Sequence, residues 1–395
     1  MNLNRNKMNL QKTKIWVCVF SLLLVLFSTS CGETTSGIPE KPLVIPGLSF
    51  QERVALQYAD QFAIDRYQDG YSLISVADGA KYLVVPEGQE IPDGLNGKIR
   101  ILRQPLKHVY LAAAAVMGPF EALDCGSAVR FSGIRAEDWY IEYAKNAMAT
   151  GEMIYAGKYR EPDYEMLLEG SCSLSIQSTM IEHNPEVKEK LEELGITVFV
   201  DYSSYEPHPL GRSEWIKVYG EMLGKPDEAA RLFDEQAAQL AAIGDNADTG
   251  KTVVFFYISS SGQAVTRKSG DYVSKMMELA GGHNIFTDLD TGNATSTVKM
   301  EMEQFYTTAK HADIMIYDSA IGSEPQSLDE VIAKNELLAD FKAVRENRVW
   351  CAHDNLFQAS MKLGDVIADF HAVFSDTTDE HPPQYLYKLE SEAAA

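Results

Sequence analysis

Trp215-Ile-Lys-Val-Tyr-Gly-Glu-Met-Leu-Gly224, followed at once by Lys225-Pro-Asp-Glu-Ala-Ala-Arg-Leu-Phe-Asp-Glu-Gln-Ala-Ala-Gln-Leu-Ala-Ala-Ile243, decides how this chain is organised. The stretch carries no strand signal. Trp215, Val218, Tyr219 and Met222 recur at i, i+3, i+4 and i+7, one apolar face of a helix. Pro226 and Asp227 mark a fresh helix start inside it. A helix of roughly twenty residues spans about 30 Å, enough to bridge two domains.

On either side the pattern is different. Upstream, extended runs at Val109–Ala115, Ala128–Ile134, Ser173–Gln177 and Thr197–Val200 alternate with helical stretches near Gly118–Leu123, Tyr164–Leu168 and Pro185–Leu194. Downstream, Val253–Ile258, Ile314–Tyr317 and Arg348–Cys351 alternate with helices at Tyr272–Leu279, Phe305–Ala309, Leu328–Leu338 and Leu363–Phe374. Strands and helices alternating at this spacing imply parallel βα units. The expected fold is therefore α/β: two lobes with mainly parallel sheets, joined by a single long interdomain helix, with a ligand cleft between them. The expected divisions are a signal peptide at 1–30, a lipid-anchored linker at 31–50, an N-terminal lobe at 51–210, the helical segment at 211–243, a C-terminal lobe at 244–378 and a tail at 379–395. A hairpin extension at 64–86 is read from Tyr71–Val76, the Asp78-Gly79 turn and Tyr82–Val85.

The N-terminus reads as an address and an anchor. Arg5, Lys7, Lys12 and Lys14 precede the apolar run Ile15–Phe27, and Ser28-Thr29-Ser30-Cys31 follows. That is signal-peptide anatomy, and the run is shorter than the ~20 residues a spanning helix needs. A signal ending at Cys resembles the bacterial lipobox, which implies lipidation of Cys31; Ser28 departs from the Leu that pattern prefers. Residues from Gly32 to about Gly47, rich in Gly, Pro, Thr and Ser, read as a flexible tether. Export with attachment to the outer face of the bacterial cytoplasmic membrane follows, on the periplasmic side where the host has an outer membrane.

Across 395 residues, 57 acidic residues against 35 basic ones give a formal charge of −22. Removal of the four basic residues in 1–30 would take the mature chain to −26. Such a surface repels phosphate backbones, so nucleic acid is excluded as a partner. Cys125, Cys172 and Cys351 remain after export, an odd number without CxxC or Cys/His spacing, so three buried thiols are expected and no zinc site. Catalytic signatures are missing as well: no GxSxG, P-loop, HExxH or GxGxxG occurs. The loop Asp288–Gly292 fails as a calcium site because Lys299 stands where the bidentate Glu belongs. Asn293-Ala-Thr295 is a formal glycosylation match without weight behind a bacterial signal, and His353 beside Asp354 reads as a surface loop.

Two acids stand in equivalent settings, each ahead of a short helix and then a strand: Glu161 before Pro162-Asp-Tyr-Glu-Met-Leu-Leu168, and Glu303 in Met302-Glu-Gln-Phe-Tyr306 before Ala312-Asp-Ile-Met-Ile316. Together with Leu279-Ala-Gly-Gly-His-Asn284 and Phe341-Lys-Ala-Val-Arg-Glu-Asn-Arg-Val-Trp350, over roughly residues 105–375, these motifs make the chain resemble a class III substrate-binding lipoprotein of ABC importers, the group handling iron–siderophores, haem and cobalamin. The resemblance implies a monomeric binding protein without catalysis or cofactor, two lobes bridged by a rigid helix, and one surface Glu per lobe docking onto arginines of the permease. Those docking roles fall on Glu161 and Glu303, with Glu301 the nearest competitor. Gly170-Ser-Cys172 departs from the Pro-Asp the family has before the strand after the first Glu helix.

Ligands of open α/β sheets bind outside the carboxyl ends of strands. That rule nominates the loops Ala113–Met117, Arg135–Tyr140, Gln177–Met180, Ser259–Lys268, Asp318–Ile321 and Asp354–Gln358. Within them Arg135, Trp139, Tyr140, Arg267, Lys268 and Phe357 are the expected ligand-binding residues, the cations for an anionic chelate and the rings for a flat macrocycle or catechol. A naked ion needs three or four convergent donors, and the loops offer mainly His353, Asp354, Glu137, Asp138 and Asp318, so a chelated metal is favoured over a free ion, an iron–siderophore first and haem or cobalamin otherwise. The competing reading is a surface-anchored hydrolase or chelatase working in the same cleft.

Overall fold

A computed structural model describes residues 37–244, 248–287, 289, 297–319 and 324–391. The signal segment, Cys31, Asn293–Thr295, most of the rejected calcium loop and Ile321 lie outside the described residues.

The first structural unit is a five-stranded sheet: β1 (Phe50–Arg53), β2 (Phe62–Tyr67), β3 (Ser72–Val76), β4 (Lys81–Val85) and β5 (Ile99–Arg103), ordered as in sequence. β1 to β4 pair antiparallel and β5 adds in parallel. The expected hairpin is its β3–β4 centre, and three strands were not anticipated. One face, with Phe62, Ile64, Tyr82 and Val84, joins the main core. The other buries Tyr67, Leu73, Leu83 and Val85 under a cover that includes Ile45, 1% exposed. Ile45, inside the segment expected to be a linker, is therefore part of the folded body.

The N-terminal lobe is built on a parallel sheet ordered β12-β11-β6-β7-β8, from β6 (Val109–Leu111), β7 (Val129–Ser132), β8 (Ile154–Tyr155), β11 (Leu174–Ser178) and β12 (Thr197–Asp201). A small ribbon, β9 (Gly157–Lys158) and β10 (Glu161–Pro162), leads into a helix. The helices are α1 (Met117–Ala122), α2 (Glu142–Thr150), α3 (Tyr164–Glu169) and α4 (Pro185–Glu193). Asp163 caps α3 by accepting from the Met166 amide at 3.0 Å.

The bridge is three helices: α5 (Pro209–Glu214), α6 (Ile216–Leu223) and α7 (Pro226–Ile243). α7 is the single long helix expected there, and it begins at Pro226, where the sequence marks a fresh start. Gly224, in the left-handed region at φ 73°, closes α6, and Pro226 opens α7. α7 alone, with 18 residues, spans about 27 Å and does the bridging. Two glycines let backbones approach it: a Cβ at Gly220 would lie 2.4 Å from Ala229 Cβ, and one at Gly364 would lie 2.3 Å from the Gln236 carbonyl.

Two buried carboxylates tie the N-terminal sheet to this bridge. Glu214 accepts from the amides of Gln57, Tyr58 and Ala59, each at 2.8 Å. Glu206 accepts from Asp60 at 2.8 Å, Gln61 at 3.2 Å and the Trp215 indole at 2.7 Å. Five successive backbone donors are thus satisfied without a strand partner.

Among the described residues the C-terminal lobe holds seven strands: β13 (Lys251–Ile258), β14 (Ala264–Arg267), β15 (Gly282–Asn284), β16 (Thr297–Met300), β17 (Ile314–Asp318), β18 (Val349–Ala352) and β19 (Leu386–Lys388). β15, β13, β17 and β18 run parallel, while β14, β16 and β19 pair antiparallel. Helices α8 (Tyr272–Leu279), α9 (Met302–Ala309), α10 (Leu328–Lys334), α11 (Lys342–Arg345) and α12 (Leu363–Phe374) complete it. The expected tail is part of this lobe: β19 extends the sheet, and Asp369 of α12 accepts from the amides of Gln384 and Tyr385, both at 2.7 Å.

Candidate functional site

In a parallel sheet every connection after a strand leaves from the same edge, so the loops following β6, β7, β11 and β12 crowd one rim of the first lobe. The loop after β18 reaches across to that rim. Gln358 Oε1 accepts from the Tyr140 amide at 3.0 Å, while its Nε2 donates to the Asp138 carbonyl at 2.9 Å. Ser360 Oγ donates to the Ala115 carbonyl at 2.7 Å, and Ser213 Oγ donates to the Ser360 carbonyl at 2.8 Å. Beside this seam lies a cavity of about 420 Å³, lined from both lobes by Tyr140, Ile141, Asn355, Gln358 and Met361, with Leu232 of α7 at its back.

The expected binding residues divide. Arg267 and Phe357 come together: the guanidinium lies 4.8 Å from the ring centroid, and Phe357 meets Tyr272 edge-on at 6.5 Å. Tyr140 stands at the seam. Arg135 is exposed and stacks over Tyr155 at 4.9 Å. Trp139 is a correction: it is 1% exposed and its indole donates to Ser132 Oγ at 3.2 Å, so it packs the core and offers no face to a ligand. Lys268 is likewise buried, at 5% exposure. Arg267 was expected to wait for a ligand carboxylate, yet its Nη2 sits 2.8 Å from Asp318, which is 2% exposed.

Residues outside the expected set complete the site. Arg212 of α5 lies 4.0 Å over the Tyr272 ring, a contact from the bridge to the C-terminal lobe. Met180 and Tyr205, 49% and 56% exposed, stand on the loops after β11 and β12. Met180 lies in a loop the strand-edge rule nominates; Tyr205 and Arg212 carry no local signal. Glu324 Oε1 accepts from the Asp354 amide at 2.8 Å and faces His353 Nδ1 at 3.0 Å. Burial first, then the nearby Glu324 carboxylate, raises the Asp354 carboxyl above its ordinary value. Burial also raises the Tyr140 phenol, with Asp354, Asp138 and Glu324 adding to it. Among the described residues no group of three or more His, Cys, Asp or Glu could hold a metal ion. Among the described residues Cys125, Cys172 and Cys351 carry free thiols, Cys125 half-buried and the other two buried.

Glu161 and Glu303 are both exposed, but their settings differ. Glu303 is the second residue of α9. The second residue of α3 is Glu165, also exposed, whereas Glu161 sits on β10 opposite Lys158. Glu165 is therefore the helical counterpart of Glu303. Glu301 stands just before α9, where its carboxylate accepts from Gln263 Nε2 at 2.7 Å instead of capping the helix.

Two α/β lobes with facing strand edges, held on one bridging helix, define the binding-protein class. The chain belongs to the periplasmic binding protein family, whose model matches residues 117–356. Similar solved structures include an ABC transporter substrate-binding protein and a periplasmic haem-binding protein. A substrate-binding protein of Listeria monocytogenes EGD-e is 17% identical, with a TM-score of 0.51 covering 68% of this chain and 99% of its own. The periplasmic haem-binding protein HutB of Vibrio cholerae is 18% identical, with a TM-score of 0.55 covering 66% and 97%. Two uncharacterized lipoproteins of Methanocaldococcus jannaschii are relatives by sequence. One is 27% identical over 315 residues, 77% of this chain and 74% of its own; the other is 23% identical over 343 residues, 84% of each. The sheet β1–β5 precedes the segment that the family model matches.

Proposed function

We propose that this protein is the lipid-anchored capture subunit of an ABC importer. It holds a metal chelate (a ferric siderophore, haem or a cobalamin) between its lobes and passes it to the permease. The supporting observation is the seam itself: carboxyl-edge loops of two sheets meet through Gln358 and Tyr140, beside a cavity open to both lobes. Cys31 would carry the lipid, and the monomer would dock through one exposed acid per lobe, Glu303 and either Glu161 or its helical counterpart Glu165. Arg135, Tyr140, Arg267 and Phe357 remain the wall nearest a bound chelate, with Trp139 and Lys268 supporting it from inside.

A thermal-shift panel of haem, cobalamin and ferric siderophores tests capture. A chelate at 100 times its dissociation constant stabilises by about 2.7 kcal/mol, so failure of all three classes to move the transition refutes the reading. Glu165→Ala with Glu303→Ala should abolish uptake in cells while leaving chelate affinity intact, and Glu161→Ala with Glu303→Ala separates the two candidates. Normal uptake by both pairs would end the docking assignment.

A further inference from the structure

We propose that the cleft selects a metal chelate of zero or positive net charge and rejects anionic ones, a specificity that rests on the reading of the protein as a chelate-binding subunit. The loops that meet at the seam, 133–141 and 353–358, carry Glu137, Asp138 and Asp354 against one arginine, Arg135. Glu324 adds a fourth carboxylate, bonded to the backbone of the second loop. Asp138, Asp354 and Glu324 all act on the Tyr140 hydroxyl, so their fields converge where the two lobes touch.

The nearby lysines are paired with other acids: Lys145, whose charge also acts on Tyr140 and Asp354, meets Glu142 at 3.1 Å, and Lys362, in the cavity wall, meets Asp365 at 3.6 Å. Arg267 is closed off by Asp318 at 2.8 Å, with only 12% of its side chain exposed. Arg212 lies flat on Tyr272 and faces the buried Asp201. Arg135 lies over Tyr155. An anionic chelate entering the seam would meet four carboxylates and a protein of charge −22, with Arg135 the one arginine carried by the two loops to offset them. A neutral or cationic chelate meets the same field as indifference or attraction, and Met180, Tyr205 and Tyr140 offer apolar contact that does not depend on charge.

The test titrates the full folded chain with three probes: a cationic ferric trihydroxamate, neutral cyanocobalamin, and an anionic ferric tris-catecholate. The trihydroxamate or the cobalamin should bind at least about tenfold more tightly than the tris-catecholate, with the gap narrowing as salt screens the rim. Asp138→Asn with Asp354→Asn, both on the surface loops, should weaken the cationic probe and strengthen the anionic one, shrinking the ratio by about tenfold. Asp318→Asn should release Arg267 and favour the tris-catecholate further. Tighter binding of the tris-catecholate by the unaltered protein, or a ratio that the double variant does not move, overturns the charge selection while leaving the capture function standing. Binding of none of the probes overturns the capture function itself, and the selection with it.

Discussion

The bridge helix α7 is held by backbone contact, and Gly364→Ala measures that hold. Gly364 lies at the start of α12; its amide donates to Gln236 Oε1 at 3.1 Å, and an added Cβ would stand 2.3 Å from the Gln236 carbonyl oxygen and 3.0 Å from its carbon. The obstacle is the main chain of another helix, so no rotamer change relieves it. An ordinary carbon–oxygen contact needs roughly 1 Å more, and α12 must retreat by about that much. Overpacking of this kind costs about 1–3 kcal/mol. Loss of the buried hydrogen bond adds about 1 kcal/mol, while alanine in place of a helical glycine returns about 1 kcal/mol. A net destabilisation of about 2 kcal/mol is expected, read as a lowered urea midpoint with an unchanged slope. Gly97→Ala, where a Cβ meets nothing within 4 Å and φ is unremarkable, should be neutral and serves as the control. A Gly364→Ala protein as stable as the parent would show that α7 and α12 are not packed backbone to backbone, and the account of the bridge would fall.

Glu206 makes the sheet-to-bridge tie sensitive to pH. Burial pushes its carboxyl up to about 7, against the pull of the Asp60, Trp215 and Gln61 donors. Because the folded value lies above the ordinary one of 4.5, this group adds stability below about pH 4.5 and loses it as the pH rises through about 7, a swing of about 3 kcal/mol. In Glu206→Gln the stability deficit relative to the parent should shrink between pH 5 and pH 8; a deficit constant with pH, from paired denaturant curves, contradicts this. Trp139→Phe should lower the melting temperature by several degrees and leave cyanocobalamin and siderophore affinities within twofold, since it removes the bond to Ser132 and core volume but no cleft surface. A large affinity loss without loss of stability would restore Trp139 to the binding wall.

Much of the lobes was legible because their elements announce themselves locally. Tyr272–Leu279 and Leu363–Phe374 are the helices that periodicity places there, and β13, β17 and β18 follow their apolar runs closely. The N-terminal sheet was half legible for a specific reason. β2 carries Asp65 and Arg66, whose charges break the apolar pattern; only in the fold does Arg53 take both Asp65 oxygens, at 2.7 and 2.9 Å, while Glu221 takes Arg66 at 2.7 Å. In the same way the helical equivalence of Glu165 and Glu303 was not legible, because it is a matter of position in a turn and not of distance from a proline.

The chain's own order of residues determined that there would be two α/β halves, a helical segment between them, an acidic surface, and loops gathered at strand ends, since each of these depends on neighbours within a few turns. Which cations face the cleft was decided only by tertiary structure. Arg267 meets Asp318 across 51 positions, Arg212 of the bridge meets Tyr272 of the C-terminal lobe, and Trp139 disappears beneath its own loop. A charge is available or spent according to what stands within a few ångströms of it, and in this protein those partners arrive from distant parts of the chain.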